Sequence, residues 1–259
     1  MSTLQTIATA PAGVSPGKAW LRALELTAPI ARNRNRILST VIEERAEQLA
    51  DTPALLSDRE CMTYGQLSQR INQYARWALD LGIGQGEVVG LLMTNRPEYL
   101  AIWLGISSVG GIVSLLNVNL TGSSLAHCVN VVSLKHLIVA SEFAGHLASA
   151  LPTLAPPTIW MHGNEPSSWP RLDLEIETMP GDPLSENEKR PTTIEDKALY
   201  IYTSGTTGLP KAANVSHARV MQWTHWFTGS WMVICSSFRV MVDEEWYALF
   251  SDPHFPAFW

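Results

Sequence analysis

The chain has 259 residues, a formal net charge of −6 and an isoelectric point near 5.6. That is long enough to bury a core as one large or two small domains, and too acidic for a nucleic-acid footprint. The three cysteines, Cys61, Cys128 and Cys235, lie far apart, which fits neither a disulfide framework nor a zinc knuckle, so reduced thiols in a cytoplasmic protein are expected.

Residues Met1 to Pro16 have no basic start and no sustained apolar core, so they read as a loose tail rather than a secretory signal. Lys18 to Leu26 reads as a short amphipathic helix with Trp20, Leu21 and Leu24, followed by Arg32, Arg34 and Arg36. An apolar patch beside arginines suits peripheral contact with the inner membrane surface; a solvated lead-in segment is the plainer reading. Residues 1–35 are taken together as a flexible N-terminal arm.

Ile37 to Leu49 is expected to be a helix with Ile37, Val41 and Ile42 on its apolar stripe. Ala54 to Leu56 and Cys61 to Met62 suggest a small hairpin around Asp58-Arg59. Thr63-Tyr64-Gly65-Gln66 is a capping box, opening a helix with Leu67, Ile71, Tyr74, Ala75, Ala78 and Leu79 at helical spacing. Gly82, Gly84 and Gly86 end it. Glu87 to Met93 is an apolar strand. Asn95 is expected to cap the next helix, with Pro97 in its first turn and Glu98 three residues after the cap.

Tyr99 to Leu116 holds eighteen uncharged residues, the length of a membrane span. Ser107, Ser108, Gly110 and Gly111 break it, so it divides into a helix (Pro97 to Val109) and a buried strand (Ile112 to Leu116). A helix around Ser124 to Val132, a strand Leu137 to Ala140 and a helix Glu142 to Leu151 follow. Strand and helix in alternation imply a layered α/β subdomain, its mostly parallel sheet covered by helices. Between Pro152 and Pro191 lie eight of the sixteen prolines. With Asp173, Glu175, Glu177, Asp182, Glu186 and Glu188, this reads as a surface connector with a solvated acidic face and one strand, Thr158 to Met161.

The most informative stretch is Tyr202-Thr203-Ser204-Gly205-Thr206-Thr207-Gly208-Leu209-Pro210-Lys211. It follows an apolar strand, Ala198 to Tyr202. Glycines let backbone N–H groups approach a ligand, the hydroxyls add donors, and Lys211 adds a mobile positive charge. Together they suit a polyphosphate. A Walker-type loop is excluded, because Gly205 and Gly208 stand too close and Pro210 disfavours a helix start before the lysine. A strand–loop–strand grip is expected, with Ala212 to Val215 pairing back and Ser216 capping a helix from His217.

This decapeptide resembles the phosphate-binding signature of the adenylate-forming superfamily. Asn95-Arg96-Pro97-Glu98, Trp103-Leu104-Gly105, Leu116-Asn117-Val118-Asn119-Leu120 and Leu125-Ala126-His127-Cys128 are similar to its very-long-chain acyl-CoA synthetase and fatty-acid-transport-protein branch. The resemblance implies an N-terminal part of an AMP-binding domain over residues 36–229. It also implies ATP and Mg2+ as cofactors, with fatty acid and coenzyme A as co-substrates. The whole decapeptide, Tyr202 through Lys211, would hold the nucleotide, with Lys211 and Thr203 as catalytic groups and Thr203 near the metal. His127 and His217 are read first as packing residues, and Arg96 as a local cap or salt bridge.

Residues 230–259 depart from the pattern: Asp252-Pro253-His254-Phe255 only echoes the family's Pro-x-x-His element. The later adenine, ribose and hinge motifs do not follow. A partial chain or a shifted reading frame near Ser230 would explain this, and the second is favoured. Three functions stay open: part of a long- or very-long-chain fatty-acid–CoA ligase, an adenylating enzyme for another carboxylate, or a nucleotide-binding chain without turnover of its own.

Overall fold

Alternation of short apolar runs with amphipathic segments produces layered α/β structure, because each strand needs a helix to cover each face. The computed structural model describes residues 16–56, 60–165, 167–203, 209–224 and 247–248. The elements begin with α1 (Pro16–Thr27), α2 (Leu38–Leu49), β1 (Pro53–Leu56), β2 (Cys61–Thr63), α3 (Tyr64–Asp80), β3 (Val88–Leu92) and α4 (Pro97–Ser108). They continue with β4 (Ile112–Leu115), α5 (Gly122–Val131), β5 (His136–Ala140), α6 (Ala144–Ala150), β6 (Thr158–His162) and α7 (Leu172–Ile176). The last are β7 (Lys197–Thr203), β8 (Lys211–Ser216), α8 (residues 217–224) and β9 (Tyr247–Ala248).

The main sheet has six strands in the order β6-β5-β3-β4-β7-β8. Every neighbouring pair is parallel except β7 and β8. The period of two sends Val89, Leu91 and Val113 to one face and Val88, Leu92 and Ile112 to the other. The first face packs against α2, α3, α4 and α7 through residues such as Ile42, Leu67, Ile102 and Ile176. The second packs against α5 and α6 through Leu125, Val129 and Leu147. The eighteen-residue apolar stretch is accordingly one helix and one strand, and no helix among the described residues is long and apolar enough to cross a membrane.

The capping box forms as read: Thr63 Oγ1 accepts from the Gln66 amide at 3.2 Å, and Gln66 Oε1 accepts from the Thr63 amide at 2.9 Å. The helix it opens lies very close to α4. A Cβ placed on Gly105 would stand 2.6 Å from the Ile71 carbonyl oxygen and 2.6 Å from Tyr74 Cβ. Gly105 is therefore a contact point between helices, where only hydrogen fits.

Two expectations are corrected. Asn95 does not cap α4: the N-cap is Arg96, extended at φ −160° and without a side-chain cap bond. Pro97 holds the residue before it out of the helical region, which puts the boundary one position later. Glu98, instead of folding back on the cap, turns inward and accepts from Arg70 Nε at 2.7 Å and from the Tyr74 hydroxyl.

The second correction concerns the acidic connector, which is not simply a solvated face. Leu172 and Ile176 are buried, and its acids meet arginines: Glu188 with Arg76, Glu177 with Arg70, Asp173 with Arg171. Arg76 also donates to the carbonyls of Pro180 and Asp182, both at 2.7 Å, and Pro183 at 3.1 Å. A proline-rich segment has few ladder partners for its carbonyls, and a guanidinium supplies donors in their place. The connector thus returns the chain across α3 and delivers β7 beside β4.

Candidate functional site: a hairpin at the carboxyl edge of the sheet

β7 lies beside β4 with Val113 opposite Leu199 and Leu115 opposite Ile201. β8 then runs back along it, Tyr202 opposite Ala212 and Thr203 opposite Lys211. The end of β7 and the start of β8 are therefore at the carboxyl end of the parallel strands. The chain also crosses there from β4, on one side of β3, through α5 to β5 on the other. In open α/β sheets ligands bind beyond the carboxyl ends of the strands, next to such a reversal.

Thr203, the last residue of β7, faces Lys211, the first residue of β8, and both are exposed. A hydroxyl and an ammonium thus flank the two sides of the loop. Leu209 is exposed and Pro210 is half-buried. Ser204, Gly205, Thr206, Thr207 and Gly208 lie outside the described residues. An open depression of about 580 Å³ adjoins the downstream flank. Its lining includes Leu209, Pro210 and Lys211 from the hairpin side, with His127, Val131 and Ser133 from α5 and the turn after it.

Tyr202 turns its hydroxyl toward α5. The hydroxyl donates to the Cys128 carbonyl at 2.5 Å and lies 2.8 Å from Ser114 Oγ on β4. With the phenol proton spent on the carbonyl, Ser114 is the donor in the second bond. Burial pushes the phenol up to about 12, against a smaller opposing effect from Ser114. His127, read beforehand as a packing residue, has Nε2 at 3.1 Å from the Pro210 carbonyl oxygen. A carbonyl only accepts, so His127 Nε2 carries the proton. Neither contact has a sequence signal of its own, because the partners are 74 and 83 residues apart.

Other polar residues lie elsewhere. His217 is 3 % exposed and follows β8 at the end of the hairpin away from the loop, since Ser216 pairs with Lys197. Burial lowers its pKa to about 4, partly opposed by Asp196 and the Ser107 backbone. Asn117 forms a local turn, its Oδ1 accepting from the Asn119 amide at 2.9 Å. Arg96 pairs with Glu142 at 3.2 Å. Burial works to raise the Glu98 pKa, but the facing His162, Tyr74 and Arg70 outweigh it and hold the carboxyl below its ordinary range. No group of three or more His, Cys, Asp or Glu among the described residues is placed to hold a metal ion.

A parallel sheet with helices on both faces, ending in an antiparallel edge hairpin, defines a layered α/β domain of the type found in adenylate-forming ligases. Solved structures share it. An anthranilate CoA ligase in complex with anthranoyl-AMP superposes with a TM-score of 0.65 at 26% identity, over 71% of this chain and 35% of that one. A Mycobacterium tuberculosis fatty acyl CoA synthetase matches in fold with a TM-score of 0.62 at 22% identity, over 79% and 38%.

The chain belongs to the AMP-binding enzyme family, whose model matches residues 42–257. The match thus extends through most of the segment that reads as off-pattern. Long-chain fatty acid transport protein 2 of Rattus norvegicus is 36% identical over 190 residues, covering 71% of this chain and 31% of that protein. The very long-chain fatty acid transport protein of Cochliobolus heterostrophus is 28% identical over 188 residues, covering 72% and 28%. The chain therefore spans less than a third of the length of these relatives.

Proposed function

We propose that the chain contributes the phosphate-holding part of an ATP-dependent ligase that joins long-chain fatty acids to coenzyme A. The observation that carries this is the hairpin at the carboxyl edge, with Thr203 and Lys211 flanking the hydroxyl- and glycine-rich loop. A carboxylate is a poor acyl donor, because its leaving group would be oxide. Attack of a carboxylate oxygen on the α-phosphorus of ATP forms a carboxyl–phosphate bond and breaks the bond to pyrophosphate. The coenzyme A sulfur then forms the thioester bond as AMP departs. Lys211 supplies a positive charge to the phosphates during the first step, and Thr203 a hydroxyl.

The residues present fit a polyphosphate, since an exposed cation and an exposed hydroxyl meet at one strand end. Mg2+ bound to the phosphates would neutralise part of their charge. Thr203 is the described residue that could touch it, so most of its ligands would be phosphate oxygens and water. The bound anthranoyl-AMP of the similar CoA ligase supports adenylation, and the higher identity to fatty acid transport proteins supports a long acyl chain over an aryl acid.

Titration of the purified chain with ATP, followed by pyrophosphate–ATP exchange with palmitate, benzoate and amino acids in turn, tests this reading. ATP binding is expected, without turnover by these residues alone; palmitate-dependent exchange would show that they also adenylate a fatty acid by themselves. Binding without exchange would leave a nucleotide-binding chain, exchange with benzoate or an amino acid would redirect the substrate, and no binding would defeat the proposal.

A second reading concerns the membrane surface. Trp20, Leu21 and Leu24 are 51%, 56% and 45% exposed on α1, with exposed Lys18 and Arg32 nearby. This supports peripheral contact with anionic lipid from the cytoplasmic side. Flotation with phosphatidylserine vesicles should show it, and a Trp20→Ser, Leu24→Ser double variant that floats equally well would refute it.

A further inference from the structure

Two bonds reach the hairpin from adjacent residues of one helix. The Tyr202 hydroxyl, on the upstream strand, donates to the Cys128 carbonyl. That carbonyl is in the last turn of α5, where carbonyls lack a helical partner. His127 Nε2 donates to the carbonyl of Pro210, just before the downstream strand. Proline has no N–H, so this carbonyl is the one backbone polar group by which the residue can be held. Ser114, 0% exposed on β4, secures the same phenol from the sheet side. Tyr202 pairs with Ala212 and Pro210 immediately precedes β8, so the two anchors lie on opposite sides of the hairpin at the end where β7 stops and β8 starts.

We propose that α5 sets the separation and register of the two strand ends flanking the phosphate loop, with His127 and Tyr202 as positioning residues that act through Lys211 and Thr203. This rests on reading the hairpin as a nucleotide-phosphate site. Displacing either strand end by about 1 Å takes one bond beyond hydrogen-bond range. Tyr202 thereby has a role apart from nucleotide contact: its hydroxyl is committed to α5 and β4, while the next residue, Thr203, is exposed.

Hydrogen exchange on the purified full chain, read on peptides from β7 and from residues 209–216, combined with ATP titration, tests the proposal. His127→Ala and Tyr202→Phe should each speed exchange at these strand ends about fivefold, the factor for one hydrogen bond of ordinary strength. Peptides from β3 and β5 should keep their rates. His127→Gln, which keeps an N–H donor, should recover most of the protection, and His127→Phe should not. ATP affinity should fall in the same order. Unchanged exchange at residues 209–216 in His127→Ala, or a uniform rise across all strands as general destabilisation would give, overturns the proposal. A wild-type chain that fails to bind ATP defeats the nucleotide reading of the hairpin instead, and the exchange pattern still decides whether α5 holds it.

Discussion

Replacing Arg76 by lysine keeps the charge and removes the fork. In the native chain all the guanidinium donors are engaged. Nε and one terminal nitrogen reach the two Glu188 oxygens at 2.7 and 3.3 Å, and the terminal nitrogens also reach the carbonyls of Pro180, Asp182 and Pro183. An ammonium has three donors for these five acceptors, so at least two bonds are lost. Hydrogen bonds to a charged group contribute about 1.5–3 kcal/mol each, and water can reach the released carbonyls, so about 1 kcal/mol per bond is the better figure. Arg76→Lys should therefore cost about 2 kcal/mol. Arg76→Ala, which loses all five bonds and strands the partly exposed Glu188, should cost about 5 kcal/mol. Urea unfolding at constant slope measures both. Hydrogen exchange should place the loosening in residues 177–190 before any core strand responds. Arg76→Lys within about 0.5 kcal/mol of the native chain would refute the reasoning, since fork geometry would then contribute nothing.

At Gly105, alanine should gain about 1 kcal/mol of helix propensity and lose more to overpacking of α3 against α4, for a net cost of about 1–2 kcal/mol in urea unfolding; a stabilised variant would contradict the contact geometry. Lys211→Ala should leave stability within about 0.5 kcal/mol and weaken ATP binding about tenfold by titration, so unchanged affinity would remove Lys211 from the site. Acid should act in two windows. Burial lowers the folded His217 pKa to about 4 from its ordinary 6.5. The unfolded chain thus takes up that proton first, and His217's contribution is full above 6.5 and fades toward 4. Stability curves of His217→Gln should be flatter than native in that range, and parallel curves would sink the assignment. Glu188 is held down to about 2 from its ordinary 4.5 by Arg76 and by the Ser185 hydroxyl and amide. Its contribution is present above 4.5 and lost as pH falls toward 2, so native and Glu188→Gln chains should converge in stability there.

Much of this structure was legible as local pattern. The Thr63–Gln66 box, the helix it opens, the division of Tyr99–Leu116 and the strand before Thr203 depend on residues within a few positions of one another, and they appear where the spacing puts them. The boundary at Arg96 was misplaced because a cap-forming asparagine competes with the stronger steric rule of the following proline. The connector was misread because its acids look solvated until Arg70 and Arg76, about a hundred residues earlier in the chain, are brought beneath them.

The candidate site divides in the same way. Glycine and hydroxyl content makes Tyr202 to Lys211 the candidate phosphate grip that we propose, because the needed donors are consecutive in the chain. The part played by Ser114, His127 and Cys128 came only from packing, since α5 and β4 are brought against β7 by the order of strands in the sheet. Side-chain period and cap chemistry are properties of chain neighbours. Which strand ends at an open edge, and which carbonyl is left for a distant donor, are decided by how segments far apart in the chain share one core.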